Sequence, residues 1–310
     1  KSVYIDRIEK DVALARTLKV VVDCGNAAAS ILAPELYRAL GCEVVELHCD
    51  PDAGFPDGRV PDPTRPECLE ALQQRAVAES ADLGLAFDGD GDRLGVVDSG
   101  GKIIWADRVL MLLSADVLSR HPGTDVVFDI KCSHRLAAEI LQNGGRPVMW
   151  KTGHSRLKAK LKETGALIGG EWSGHIVFQD RWYGFDDALY AGARLLELLA
   201  FNPRPSAEVF AELPEALSTP ELTVPLEEGE AEQVMASVLR LAPHLKGVEV
   251  HTVDGLRVEF EQGWGLVRAS NTRPALVFRF EADDQLALDR LKGLFRKLMR
   301  RAAPELTLPF

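Results

Sequence analysis

The chain has 310 residues, 46% of them hydrophobic and 27% charged, with a formal net charge of −11. That length allows two or three domains. The acidity argues against a nucleic-acid binder, which grips phosphates with clustered lysine and arginine, and no apolar run reaches the roughly 20 residues of a membrane span.

In chain order, residues 1–16 carry Val3, Ile5, Ile8, Val12 and Leu14 at helical spacing. Lys19–Asp23 reads as a buried strand, Gly25-Asn26 turns the chain into a helix over about 28–40 closed by Gly41, and Glu43–Leu47 is the next strand of a β-α-β unit. The Pro-, Asp- and Gly-rich stretch 50–66 predicts a surface loop, 67–78 a helix and 83–87 a strand buried on both faces. Residues 94–97 and 102–105 form a hairpin about Ser99-Gly100-Gly101.

A second cycle starts at Asp107: helix 107–119, strand 125–130, helix 135–142 capped by Ser133, strand 147–150, helix 154–162, strand 166–168 and helix 186–199, before a linker at residues 202–205. The last third has helices near 207 and over 230–241, then consecutive strands at 248–252, 256–260, 266–268 and 275–280, the grammar of an antiparallel α+β domain. A closing amphipathic helix over 284–301 presents Leu286, Leu288, Leu291, Leu294, Phe295 and Leu298 as a core stripe. The expected fold class is α/β, with two tandem three-layer units followed by a smaller α+β domain, divided at 1–102, 103–205 and 206–310.

The five cysteines (Cys24, Cys42, Cys49, Cys68, Cys132) have no Cys-x-x-Cys spacing, so reduced thiols in a cytoplasmic protein are expected rather than zinc or disulfides. Lys1-Ser2-Val3-Tyr4 has neither the pattern of a signal peptide nor an initial methionine, which suggests a fragment or processed chain.

Three loops carry chemistry. Asp88-Gly-Asp90-Gly-Asp92-Arg93 follows a buried strand, and its alternating carboxylates converge on one hard cation. An EF-hand would need glycine and glutamate where Arg93 and Ser99 stand, so magnesium bridging to a phosphate oxygen is favoured over calcium. Gly169-Gly-Glu171-Trp-Ser173-Gly-His175 offers a carboxylate and a hydroxyl for vicinal sugar hydroxyls and an imidazole for proton transfer, or is a glycine-rich turn. Arg268-Ala-Ser270-Asn271-Thr272-Arg-Pro274 has the composition of a phosphate clamp or of a polar hairpin turn. Lys151-Thr-Gly-His154-Ser opens a helix as an anion site or a capping turn, and Lys131 ends a strand where such sheets bind ligands.

Taken in order and spacing, these loops resemble the α-D-phosphohexomutase family, and within it the bacterial phosphomannomutase/phosphoglucomutase enzymes, from end to end. The resemblance implies reversible phosphoryl transfer between the 1- and 6-positions of mannose or glucose phosphates. It implies Mg2+ on Asp88, Asp90 and Asp92, with Arg93, Lys131 and His175 at the reaction centre and Glu171 and Ser173 on the sugar hydroxyls. Arg268, Ser270, Asn271 and Thr272 would hold the non-transferring phosphate with help from His154, and glucose 1,6-bisphosphate or mannose 1,6-bisphosphate would be activator and intermediate. Trp172 stands where the family often has methionine.

The family's four domains include a first one whose phosphoserine is followed by histidine, and the only Ser-His pair here, Ser133-His134, lacks that context. The chain is therefore expected to supply domains two to four, to be inactive without the phosphoserine domain as its partner, and to be a monomer. Two other readings stay open: a non-catalytic sugar-phosphate binding module, and a haloacid-dehalogenase-like phosphatase using Asp88.

Overall fold

The structure, a computed structural model, describes residues 2–52, 54–56 and 60–310. Of the predicted loop at 50–66, residues 53 and 57–59 lie outside the described residues, as does Lys1 of the first predicted helix. The chain divides into two compact units, residues 1–148 with 154–213 and residues 149–153 with 214–310.

The first unit opens with α1 (Ser2–Glu9), β1 (Lys19–Asp23), α2 (Ala33–Ala39), β2 (Glu43–Leu47), α3 (Pro66–Ala78), β3 (Leu83–Phe87), β4 (Leu94–Asp98) and β5 (Ile103–Ile104). The helix predicted over 28–40 is broken: a 3-10 turn at Ala28–Ile31 precedes α2. Pro34 has no N–H to donate back into a preceding turn, so it starts a helix rather than continuing one. The strand order is β2-β1-β3-β4-β5, parallel across β2, β1 and β3 and antiparallel beyond. Every residue of β3 and β4 is buried, so this part of the sheet is covered on both faces. On one side Leu69, Leu72 and Ala76 of α3 pack against Val21, Ala86 and Val97.

A second round adds α4 (Ala106–Arg120), β6 (Asp125–Asp129), α5 (His134–Gln142), β7 (Arg146–Trp150), α6 (His154–Thr164), β8 (Ile168–Gly170), β9 (Ile176–Phe178), α7 (Ala188–Phe201) and α8 (Ser206–Ala211). Its strand order, β7-β6-β8-β9, repeats that of the first four strands. As expected, the Ser133 hydroxyl caps α5, accepting from the Arg135 N–H. Helices α4 and α7 are buried along most of their length, the mark of helices without a solvent face. Helix α4 packs on β4 and β8, and α7 on β4 and β9. They form a middle layer shared by both sheets, and the boundary expected at residue 102 lies inside one compact unit.

The strand expected at 166–168 is displaced to Ile168–Gly170. At Gly169 an added Cβ would lie 2.6 Å from the Val127 carbonyl oxygen and 2.8 Å from a Leu161 methyl, so glycine here serves close packing between β6 and α6 rather than a loop.

The second unit contains β10 (Leu217–Ser218), β11 (Leu222–Pro225), α9 (Glu230–Leu241), β12 (Glu249–His251), β13 (Leu256–Phe260), β14 (Gly263–Ala269), β15 (Ala275–Ala282) and α10 (Gln285–Ala302). The order is β10-β15-β14-β13-β12, antiparallel, with β11 also on β15. Val258, Val267, Phe278 and Phe280 share a core with Met235, Val238, Leu291, Phe295 and Met299. Leu286 does not join it and is 60% exposed. It lies two residues from Leu288, about 200° round the helix; Ala287 and Met299 complete the stripe instead. Among the described residues no helix is long and apolar enough to cross a membrane.

Candidate functional site

The aspartate loop is the tip joining β3 to β4. Asp88 is buried, and its Oδ1 accepts from the N–H groups of Gly91, Asp92 and Arg93, each at 3.1 Å. Its Oδ2 accepts from Arg93 Nε at 2.6 Å, while Arg93 Nη1 reaches Asp62 Oδ1 at 3.1 Å. Burial pushes the Asp88 carboxyl above its ordinary value, against the pull of Arg93. Gly91, at φ +79°, closes the turn. One carboxylate oxygen from each of Asp88, Asp90 and Asp92 lies within 4.8 Å of the other two. Three hard oxygen donors on a tight loop fit a magnesium-sized ion that keeps further positions open.

The second glycine loop, between β8 and β9, sits directly on this tip. Arg93 and His175 form an antiparallel bridge, and the Leu94 N–H donates to the Gly174 carbonyl at 3.0 Å. Gly174 has φ +107°, and a Cβ there would meet Leu94 O at 3.0 Å, Leu94 N at 3.1 Å and Arg93 Cβ at 3.2 Å. His175 Nε2 lies 3.4 Å from Asp92 Oδ1, and its Nδ1 lies 2.9 Å from both Glu171 Oε2 and Ser173 Oγ. Burial works against a charged imidazole, but the Asp92 and Glu171 carboxylates outweigh it and push the His175 pKa up to about 9. Burial likewise opposes the Asp92 charge, and His175 nevertheless holds that carboxyl below its ordinary value.

His154, at the start of α6, stacks on His175 with centroids 5.3 Å apart. Its Nδ1 is 2.5 Å from Asp186 Oδ2, and Lys158 Nζ is 2.6 Å from Asp186 Oδ1. Lys131 is buried just past β6, with its Nζ 5.4 Å from the Trp172 ring centre. That indole stacks on Trp105 at 6.2 Å, and its backbone N–H donates to Asp129 at 3.0 Å. The nine site residues expected from 88 to 175 thus lie in one unit.

In the second unit, Arg268 is on β14 rather than in the loop, because that strand runs through Ala269. Its Nε donates to Asp254 Oδ2 at 3.0 Å, and its buried Nη2 has no hydrogen-bond partner. The Thr152 N–H donates to the same Asp254 oxygen at 3.0 Å, and Asn271 Nδ2 donates to the Thr152 carbonyl at 3.2 Å. Ser270 Oγ lies 3.4 Å from Thr272 Oγ1. A buried guanidinium with a spare N–H, followed in sequence by two hydroxyls and an amide, has the chemistry of a phosphate clamp.

Three sequence models described as "Phosphoglucomutase/phosphomannomutase" match the chain: alpha/beta/alpha domain II over residues 2–101, alpha/beta/alpha domain III over residues 105–217 and the C-terminal domain over residues 221–298. The Pseudomonas aeruginosa phosphomannomutase/phosphoglucomutase is 52% identical over 307 residues, covering 99% of this chain and 66% of that protein. The chain belongs to the α-D-phosphohexomutase family. A Neisseria gonorrhoeae phosphoglucomutase is 49% identical over 297 residues, 96% of this chain and 64% of that one. A Burkholderia thailandensis phosphoglucomutase/phosphomannomutase family structure superposes with TM-score 0.94 at 50% identity, covering all of this chain and 66% of that one. This phosphohexomutase chain therefore spans about two thirds of the length of these relatives.

Sequence reasoning missed the residues that hold the loops in place. Asp62, Asp129, Asp186 and Asp254 each hold a site arginine, backbone or imidazole. Only Asp186 left a trace: two aspartates in succession precede α7, where Asp187 alone caps the helix by accepting from Tyr190 N.

Proposed function

We propose that this phosphohexomutase chain carries the metal loop, sugar loop and phosphate clamp of an enzyme that moves phosphate reversibly between the 1- and 6-positions of glucose or mannose phosphates through a bisphosphate. The observation that carries the reading is the seating of the Glu171–His175 loop on the Asp88–Arg93 tip through the Arg93–His175 bridge. On this reading, that contact would bring the groups for the sugar and the groups for the metal side by side.

Asp88, Asp90 and Asp92 would hold Mg2+, which supplies positive charge to phosphoryl oxygens. Arg93, braced by Asp88 and Asp62, adds a guanidinium whose direction is fixed before substrate arrives. His175 is held protonated by two carboxylates, so it meets an incoming phosphate or hydroxyl as a donor. Glu171 accepts from sugar hydroxyls and Ser173 exchanges hydrogen bonds with them, while Lys131 adds a second cation beside Trp172. Arg268, Ser270, Asn271 and Thr272 take the phosphate that is not transferred. The reading assigns the phosphoserine nucleophile to none of these 310 residues, and bound glucose 1,6-bisphosphate or mannose 1,6-bisphosphate serves as activator. The domain division 1–102, 103–205 and 206–310 accords with these three roles.

A phosphatase that attacks through Asp88 is disfavoured, since such an enzyme has no need of the Glu171–His175 loop bridged to the Asp88–Arg93 tip or of the Arg268 loop. The test is calorimetric titration of the chain with glucose 1-phosphate and Mg2+, beside a mutase assay with glucose 1,6-bisphosphate. Binding without turnover is expected, with Arg268→Ala weakening it by about 10- to 100-fold, the worth of a charge-assisted hydrogen bond. Turnover by the chain alone, or binding indifferent to Arg268→Ala, overturns the reading.

A further inference from the structure

Beside the aspartate tip lies a second set of metal-ligand atoms. Asp92, His154, His175 and Asp186 each bring one oxygen or ring nitrogen to within 4.8 Å of the other three. His154 Nδ1 is 2.5 Å from Asp186 Oδ2, and His175 Nε2 is 3.4 Å from Asp92 Oδ1. The donor set, two imidazoles and two carboxylates, differs in kind from the all-oxygen triad. Magnesium and calcium prefer oxygen, whereas imidazole suits zinc, cobalt, nickel and copper.

We propose that Asp92, His154, His175 and Asp186 form a binding site for a divalent transition cation of the zinc class, sharing only Asp92 with the Asp88, Asp90 and Asp92 triad. A tetrahedral ion with ligands at about 2.0–2.1 Å sets them about 3.4 Å apart, so the His154–Asp186 hydrogen bond opens from 2.5 Å to admit the ion while the separations of up to 4.8 Å contract. His154 supplies the movement, because its side chain is 46% exposed on the first turn of α6. Asp186 supplies the fixed point: its side chain is 8% exposed, and its other oxygen is anchored by Lys158. Such an outer partner orients a ligating carboxylate. Imidazoles ligate in the neutral form, so ring protons pass to solvent as the cation enters. Asp92 has a second oxygen for the triad, so the two sites can be filled together with this carboxylate between them. On the mutase reading the cation is an inhibitor, because it ties up His175 and His154; that consequence rests on the proposed function, whereas occupancy does not.

Cobalt(II) is the probe, since its visible absorption distinguishes four-coordinate nitrogen and oxygen ligation from thiolate ligation. The chain is titrated with Co2+ in excess Mg2+, then back-titrated with Zn2+. One equivalent with a four-coordinate visible band and no sulfur charge-transfer band is expected, retained in Asp90→Asn and weakened at least about tenfold in His154→Gln and in Asp186→Asn. Substitution of the half-exposed His154 leaves the core untouched and covers the case in which Asp186→Asn disturbs folding. Equal affinity in His154→Gln and the parent, loss in Asp90→Asn, displacement by Mg2+, or a sulfur band from Cys24 and Cys49 each overturns the proposal. Binding is scored without reference to turnover, so failure of the mutase reading leaves this test intact.

Discussion

Replacing Gly174 with alanine tests whether the two loop tips are held by close approach or merely lie near each other. The cost has two parts. A Cβ at φ +107° sits in sparsely populated backbone space, worth about 1–3 kcal/mol. The added methyl must also move Leu94 O and N and Arg93 Cβ, at 3.0, 3.1 and 3.2 Å. Two of these are backbone atoms at the start of β4 and cannot swing aside, so overpacking adds about 1–3 kcal/mol. Gly144 is the matched control. It has φ +78° beyond the C-terminus of α5, but nothing lies within 4 Å of its Cβ position, so alanine there costs only about 1–2 kcal/mol of backbone strain. Urea denaturation of metal-free protein, followed by tryptophan fluorescence with Trp172 two residues from the site, measures both. Gly174→Ala should exceed Gly144→Ala by about 2 kcal/mol and alone should weaken glucose 1-phosphate binding. Equal destabilisation, with binding unchanged in both, refutes the seating argument.

Asp180 is paired with buried Arg194 at 2.9 Å and with Arg120 at 3.0 Å. Burial opposes its charge, but these arginines hold the carboxyl below its ordinary value. A depressed folded-state value means stability present above the unfolded pKa of about 4 and lost as pH falls through the folded value. Asp180→Asn should cost about 1–3 kcal/mol near neutrality, the worth of charge-assisted hydrogen bonds, since Arg194 keeps Asp116 at 3.2 Å and Glu197 at 3.6 Å, and it should flatten the acid limb of the stability profile measured by urea midpoints. In the second unit, Phe295 is fully buried and meets Phe280 edge-on at 5.2 Å. Phe295→Ala should cost about 3–5 kcal/mol, read as a lower melting temperature in calorimetry. Cys49 lies 3.3 Å from Cys24, whose thiol hydrogen bond holds Cys49 below its ordinary pKa, while the same pairing and burial raise Cys24. Mass spectrometry after brief iodoacetamide treatment at pH 8 should find Cys49 alkylated before Cys24, Cys42 or Cys132, and the reverse order would contradict the pairing.

Elements with a strong local period were legible in the sequence: β1, β2, β3, β13 and α9 lie where the pattern puts them. The short strands β9, β10 and β11 were missed, because two to four residues cannot display a period. The apolar character of α4 and α7 was visible, but their service to two sheets depends on packing that no local window contains. Likewise the Asp88–Asp92 triad is local in sequence and readable, whereas Asp186 meets His154 across 32 positions and Asp62 meets Arg93 across 31. Such partners become visible only when the chain is folded.

The repeated strand order has a consequence for how this centre is built. The metal-loop tip joins the third and fourth strands of one sheet, and the sugar-loop tip joins the third and fourth strands of the other. Arg93 stands immediately before β4 and His175 immediately before β9, and these two equivalent positions bridge antiparallel. An antiparallel pair between equivalent positions is what a local two-fold relation produces. The centre thus has the form of an internal dimer, in which one copy of a hairpin tip is specialised for cations and the other for hydroxyls. Each tip can diverge in sequence while the shared backbone contact keeps the pair in register.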